Sequence, residues 1–202
     1  MLIEHLGKRP IVDPSAYVAP TAALCGDVRI GPNSRIMFGA TVIAEGGTIT
    51  VGTNCVVLEN AVLRSTIKHN LIIGSRVLIG PNAHVVGCEV EDNVFIATGA
   101  AIFHGARLGA GSEVRIHGVV HLKTYLPDNA TVPIGWVAVG NPVQIMPPEQ
   151  HDRIWAVQAP LNFPQFVYGV DRKPDGQTIM PEIMAMMTAN LQTHQEDQRI
   201  DD

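Results

Sequence analysis

Histidine and cysteine are the residues of this chain whose chemistry could support catalysis or metal binding. Five histidines lie in the middle of the sequence, at His69, His84, His104, His117 and His121. Three cysteines, with no CxxC spacing, lie at Cys25, Cys55 and Cys88. Neutral imidazole binds zinc and serves as a general base, whereas a thiolate acts as a nucleophile or a metal ligand. Which role is open to each residue depends on the elements that position it.

An aliphatic residue recurs every six positions through most of the chain. The series is interrupted only three times, and it consists of Val12, Val18, Leu24, Ile30, Ile36, Val42, Val51, Val57, Leu63, Ile73, Ile79, Val85, Val90, Ile96, Ile102, Leu108, Val114, Val120, Leu126 and Val132. An even period keeps these side chains on one side of a strand, whereas an α-helix would spread them over all its faces. Bends are predicted three residues after the aliphatic position, where asparagine tolerates left-handed backbone geometry, at Asn33, Asn54, Asn82, Asn93 and Asn129.

One hexad cannot bury its own apolar side, but hexads stacked on one another can. The period therefore predicts an all-β solenoid of hexapeptide repeats. We expect a left-handed parallel β-helix of about seven coils over residues 1–145, with short insertions at 45–50 and 68–72. Residues 146–202 are expected to form a C-terminal helical extension that packs on the solenoid or on a neighbouring subunit. Within it, helices are predicted over 148–158 and from Pro181 to about Gln192, and a frayed end over 195–202.

Charge and composition exclude some classes of partner. The formal net charge is −5, with no cluster of lysine and arginine of the kind that binds nucleic acid or an anionic membrane. The sequence has neither a basic leader nor an apolar run of about 18 residues, so no membrane span is expected. An odd number of cysteines without paired spacing favours a reduced, cytoplasmic location.

Several motifs give the chain a family resemblance. They are Arg9-Pro10 at the entry, Phe38-Gly39-Ala40-Thr41-Val42, Val51-Gly52-Thr53-Asn54, the five-residue step Val85-Val86-Gly87-Cys88-Glu89, and Val139-Gly140-Asn141-Pro142. With them the chain resembles the γ-class carbonic anhydrase-like branch of the hexapeptide-repeat superfamily over residues 8 to about 145. The resemblance implies a homotrimer. It also implies zinc, or iron in some members, held by three histidines, two from one subunit and one from its neighbour. Metal-bound hydroxide at such a site attacks CO2.

The resemblance also predicts where those ligands should fall, and none of the three positions holds a histidine. The first falls on Arg64, the second on Pro81 and the third on Val86. The family's Arg-Gly-Asp falls on Ile43-Ala44-Glu45, and its Gln-Asp-Asn falls on Leu58-Glu59-Asn60. We therefore expect no zinc at the usual site, and the sequence names no catalytic residue.

The cleft that holds the metal in the family could still bind a ligand of another kind in this chain. Its candidate residues are Glu45, Glu59, Asn60, Arg64, Pro81, His84 and Val86. Arg64 either pairs with Glu45 or Glu59 at a subunit interface or holds a small anion. His84 is either a surface residue or a shifted metal ligand.

Three functions follow, and the residues leave open whether the chain is an enzyme. The first is a structural or interaction subunit, or a small-anion binder, without CO2 hydratase activity. The second is an enzyme with a relocated metal site at the subunit interface. The third is an acyl-CoA-dependent acyltransferase with His104 or His117 as general base.

Overall fold

The computed structural model describes residues 1–200, Asp175 by its backbone alone, as a parallel β-solenoid followed by short helices. Three sheets run along the solenoid. The first sheet contains eight parallel strands, β1 (Leu2–Glu4), β4 (Ala23–Cys25), β7 (Thr41–Glu45), β10 (Val62–Thr66), β13 (His84–Val86), β16 (Ala101–Ile102), β19 (Val119–Val120) and β22 (Val137–Val139). It is bordered by two antiparallel strands, β23 (Gln144–Met146) on β22 and β24 (Gln198–Ile200) on β1.

The other two sheets have seven strands each. The second contains β2 (Ile11–Val12), β5 (Val28–Ile30), β8 (Ile49–Val51), β11 (Leu71–Ile73), β14 (Glu89–Val90), β17 (Arg107–Leu108) and β20 (Tyr125–Leu126). The third contains β3 (Tyr17–Val18), β6 (Arg35–Ile36), β9 (Val56–Val57), β12 (Leu78–Ile79), β15 (Phe95–Ile96), β18 (Glu113–Val114) and β21 (Thr131–Val132). The solenoid has about eight turns, one more than predicted, because β1 precedes the first hexad.

The hexad positions form the core, as the period predicts. Leu24, Val42, Leu63 and Val85 are fully buried, and they are register partners on successive strands of the first sheet. The five predicted asparagines all adopt left-handed φ angles, between 56° and 61°. Because side chains alternate along a strand, the residues on either side of each core position face outward.

Both predicted insertions follow strands of the first sheet and are shorter than 45–50 and 68–72, because β7, β8 and β11 extend into those ranges. One joins β7 to β8, and the other joins β10 to β11 through a tight turn in which Thr66 and His69 exchange backbone hydrogen bonds. The second insertion therefore places His69 beside the outward face of the first sheet.

Between residues 146 and 200 the chain forms three α-helices, α1 (His151–Gln158), α2 (Phe163–Tyr168) and α3 (Met180–Leu191). Short 3₁₀ turns lie at Pro148–Gln150, Ala159–Leu161, Pro174–Gly176 and Gln192–Glu196. The expected fraying is wrong for residues 198–200, which form β24. The edge of β1 offers backbone groups that would otherwise lack partners, and the tail pairs with them. Asp201 and Asp202, also covered by that expectation, lie outside the described residues.

Over residues 1–200, no helix is both long and apolar enough to cross a lipid bilayer.

Candidate functional site

Two of the positions implied by the family resemblance lie side by side on the first sheet. Arg64 on β10 and Val86 on β13 are register partners, and both follow a core residue and so face outward. The Arg64 guanidinium donates from Nη2 to Oε1 of Glu45 at 2.9 Å. The pair that the sequence suggested across an interface thus forms within one chain. Val86 is only 3% exposed.

These residues do not fit a zinc ion. Arginine stays cationic at any accessible pH and offers no lone pair, and valine and proline have no donor atom in their side chains. No catalytic step can be derived through a metal at these three positions.

Three other candidate residues lie at a corner of the solenoid, in turns that precede β10 and β13. The turn that carries Glu59 and Asn60 stacks on the turn that carries Pro81, and the Asn82 amide donates to the Glu59 carbonyl at 3.0 Å. Pro81 borders a shallow apolar groove on the third sheet, which is also lined by Leu58, Leu78, Phe95, Ile116 and Ile134. The Pro81 side of this corner therefore borders a mostly apolar surface.

Three histidines surround the outward face beside Arg64, and we call His69, His84 and His104 the imidazole cluster. The His69 and His104 ring centroids are 5.7 Å apart, with Gly87 between them. His84 is exposed on β13, two residues before Val86. Nδ1 of His104 is buried and has no hydrogen-bond partner among residues 1–200. Burial, followed by the charges of His69, His84 and Arg64, lowers the pKa of His104 to about 4. Burial, followed by neighbouring cations, also lowers the pKa of His69 and of His84, so the cluster favours neutral imidazoles.

His117 and His121 do not form a pair. His117 is exposed in a turn with φ of 55°, and His121 is nearly buried after β19. The His121 ring packs beside Phe103 and Phe163.

A second cluster contains Cys25 together with three residues that the sequence did not single out. We call His5, Cys25, His194 and Asp197 the tail cluster. The two carboxylate oxygens of Asp197 contact the two imidazoles, with His5 Nδ1 to Oδ1 at 2.6 Å and His194 Nδ1 to Oδ2 at 2.7 Å. The Cys25 thiol lies 3.7 Å from Oδ2, and the two imidazole rings stack at 4.3 Å.

Glu45 joins this cluster to the cleft. Its Oε1 contacts His194 Nε2 at 3.0 Å and also accepts from Arg64. These contacts raise the pKa of His194, because its bonds to Asp197 and Glu45 outweigh the effect of burial. Burial alone would raise the pKa of Asp197, but its hydrogen bonds to His194 and His5 lower that pKa. Burial, followed by the charges of Asp197 and Glu45, raises the pKa of the Cys25 thiol to about 12.

The sequence could not bring this cluster together, because His5 and Asp197 are 192 positions apart. Only the three-residue spacing of His194 and Asp197 gave a local signal. Cys25 follows the core residue Leu24 and faces away from the core, where the tail covers it and leaves it 3% exposed.

The imidazole cluster should make folding stability fall in mild acid. The unfolded state binds a proton at His104 near pH 6.5, whereas the folded state resists protonation until about pH 4. Stability is therefore fully present above pH 6.5 and is lost as the pH falls towards 4, by about 3 kcal/mol. Thermal unfolding of His104→Asn should lose most of this dependence, whereas the exposed His151→Asn should keep it. Parallel pH profiles for the native protein and His104→Asn would contradict this assignment.

Comparison with known proteins gives sequence relatives and a structural neighbour. No protein-family model matches the chain. It is 36% identical over 151 residues to gamma carbonic anhydrase 1, mitochondrial, of Arabidopsis thaliana, covering 72% of this chain and 53% of that protein. It is 32% identical over 152 residues to gamma carbonic anhydrase 2, mitochondrial, of the same plant, covering 72% and 52%. The chain thus spans about half the length of these curated relatives.

Among solved structures, a Bacillus cereus protein named as a candidate acetyltransferase superposes with a TM-score of 0.61 and 19% identity, covering 96% of this chain and 92% of that chain. At this identity the likeness concerns the fold alone. With the repeat, the solenoid and the sequence relatives taken together, this chain is a γ-carbonic anhydrase-like hexapeptide-repeat protein.

Proposed function

We propose that this chain lacks CO2 hydratase activity at the position used by its family and acts as a homotrimeric structural or interaction subunit. The observation that carries the proposal is the pairing of Arg64 with Val86 on adjacent strands. Two ligands from one subunit would have to come from such neighbouring positions. In this chain those two positions hold the guanidinium of Arg64, which is bonded to Glu45, and the buried aliphatic side chain of Val86.

The electrostatics of the cleft support the same proposal. A fixed cation at position 64 repels a divalent metal, and the Glu45 carboxylate that could offset it is already bonded to both Arg64 and His194. The neighbouring imidazoles do not replace the site in this chain. Among the side chains that the structure describes, the only group of three or more histidine, cysteine, aspartate or glutamate residues with mutually close ligand atoms is the tail cluster, and it contains none of His69, His84 or His104.

Activity measurements test this proposal directly. Purified protein, with and without added zinc, should hydrate CO2 no faster than the buffer does in a stopped-flow indicator assay. Zinc-dependent hydration that is lost in His84→Ala would overturn the proposal and favour the relocated metal site. Bound zinc without activity would leave it standing, because zinc could bind elsewhere in the chain.

The apolar groove on the third sheet supports the trimer. Ile134 is 63% exposed in the single chain and borders the groove with Phe95 and Pro81. Contiguous apolar surface of this kind favours burial against a second subunit. Ile134→Asp should therefore shift the protein from trimer to monomer, as measured by light scattering after size exclusion. Ile11→Asp, at an equally exposed isoleucine on the second sheet, serves as the control and should remain trimeric. A trimeric Ile134→Asp would place the interface on another face.

A small anion is a second candidate for the cleft, favoured by Arg64 and the imidazole cluster. Their N–H groups could donate to bicarbonate once the neighbouring subunit encloses the cleft. Bicarbonate should then raise the melting temperature of the native protein more than chloride does, and this difference should vanish in Arg64→Gln. Stabilisation by acetyl-CoA instead would favour the acyltransferase alternative, although the low pKa of His104 makes that imidazole a weak base.

A further inference from the structure

The tail cluster brings together four donor atoms of different chemical types. His5 follows β1, Cys25 ends β4, and His194 and Asp197 belong to the tail that leads into β24. One nitrogen, sulfur or oxygen atom from each of the four lies within 4.8 Å of the other three. Two imidazoles, a thiol and a carboxylate around one point are the ligand types that zinc prefers in proteins.

Burial makes this grouping different from a surface collection of polar residues. His5 is 2% exposed and Cys25 is 3% exposed, so both are enclosed by the sheet and the tail. The Asp197 and His194 side chains are 18% and 29% exposed, which leaves one side open to an ion from solvent. The cluster is therefore enclosed on the side of His5 and Cys25 and partly open to solvent on the side of Asp197 and His194.

The outer contacts of His194 match those of a metal-binding histidine. Its Nε2 is bonded to Glu45 at 3.0 Å, and Glu45 is held by Arg64 at 2.9 Å, so Nδ1 is the nitrogen that points at the cluster. Ligating histidines almost always give their second nitrogen to a carboxylate or carbonyl, which fixes the ring orientation. This arrangement is an independent reason to see the cluster as more than a hydrogen-bond network.

We propose that His5, Cys25, His194 and Asp197 bind one divalent cation of the zinc type. The ion would enter between the imidazoles and the carboxylate, so the two short Nδ1–Oδ distances would lengthen, and the thiol would lose its proton. Thiolate and carboxylate then balance the charge of the ion. Four protein ligands complete a tetrahedral shell, which makes the site structural rather than catalytic. Magnesium and calcium, which select oxygen ligands, would bind poorly.

The site would fasten the end of the chain to the first turn of the solenoid. Two ligands come from the outward side of the first sheet and two from the tail, so one ion would bridge segments far apart in sequence. Metal binding to the folded protein alone would raise its stability by mass action.

Cobalt substitution provides the test. The full chain, stripped with a chelator and reduced, is titrated with Co²⁺ and then with Zn²⁺. We expect one ion per chain, an intense near-ultraviolet thiolate-to-cobalt absorption band, and displacement by zinc but not by magnesium. Cys25→Ser should lose that band, whereas Cys88→Ser, at a buried thiol elsewhere, should keep it. Glu45→Gln should weaken binding by about 10–100-fold, as the loss of an outer-shell partner does.

The absence of saturable binding, or a band that persists in Cys25→Ser, would overturn the proposal. Circular dichroism checks that each variant folds. If Cys25→Ser does not fold, the partly exposed His194→Asn carries the test, with His151→Asn as its control. These outcomes are separate from the hydratase assay, because a filled tail site leaves Arg64 and Val86 unchanged.

Discussion

Replacing Ile73 with alanine should lower the free energy of unfolding by about 2–5 kcal/mol, the usual cost of an isoleucine-to-alanine cavity in a core. Ile73 on β11 is 2% exposed and is register partner to Val51 and Val90 on the strands either side. A solenoid turn relies on its neighbours for burial, so the loss weakens two interfaces between turns at once. Urea denaturation followed by circular dichroism measures the change.

Ile72 supplies a matched control one residue away. It is 45% exposed on the opposite face of the same strand. Ile72→Ala should cost less than about 1 kcal/mol, because most surface substitutions change stability little. Equal losses for the two variants, measured at one protein concentration, would contradict the assignment of Ile73 to the core and Ile72 to the outside.

Restoring three imidazoles should create a zinc site where this chain has none. We expect the combined variant Arg64→His, Pro81→His and Val86→His to bind one zinc ion per chain, by metal analysis after gel filtration. Positions 64 and 86 are register partners, so two imidazoles would come from one chain, and position 81 would contribute from the neighbouring subunit. Three histidines leave a coordination position open for water, as catalytic zinc sites do.

The experiment is best made in a Cys25→Ser background, which separates the new site from the tail cluster. Arg64→His alone should bind no additional zinc, since one imidazole is a weak ligand. A folded, trimeric triple variant that takes up no zinc would mean that Pro81 or Val86 does not occupy a family ligand position. Hydratase activity in the triple variant would further support the trimer geometry.

The repeat was predictable from sequence because it depends on local alternation. Leu63 is buried because the hexad residues one solenoid turn away, Val42 and Val85, stack on either side of it. Asn82 adopts its left-handed φ because of the turn it occupies. The outward positions of Arg64 and Val86 follow from the same alternation. So does the stacking of the turns that carry Glu59 and Pro81.

The tail cluster was not predictable in the same way. Nothing near His5 indicates a partner, and the tail has no period that would fix where His194 and Asp197 lie. Their positions depend on the pairing of β24 with β1, a contact between the two ends of the chain. Glu45 was chosen from the family resemblance, but its bond to His194 depends on the same long-range contact.

The antiparallel strands β23 and β24 also limit how the solenoid can associate. A parallel β-solenoid that ends in an open strand is a template on which a second molecule could continue the sheet, and repeated addition would produce a fibre. In the first sheet, β23 occupies the edge of β22 and β24 occupies the edge of β1, each running against the direction that a further turn would need. The two antiparallel edge strands thus favour discrete oligomers over end-to-end polymers.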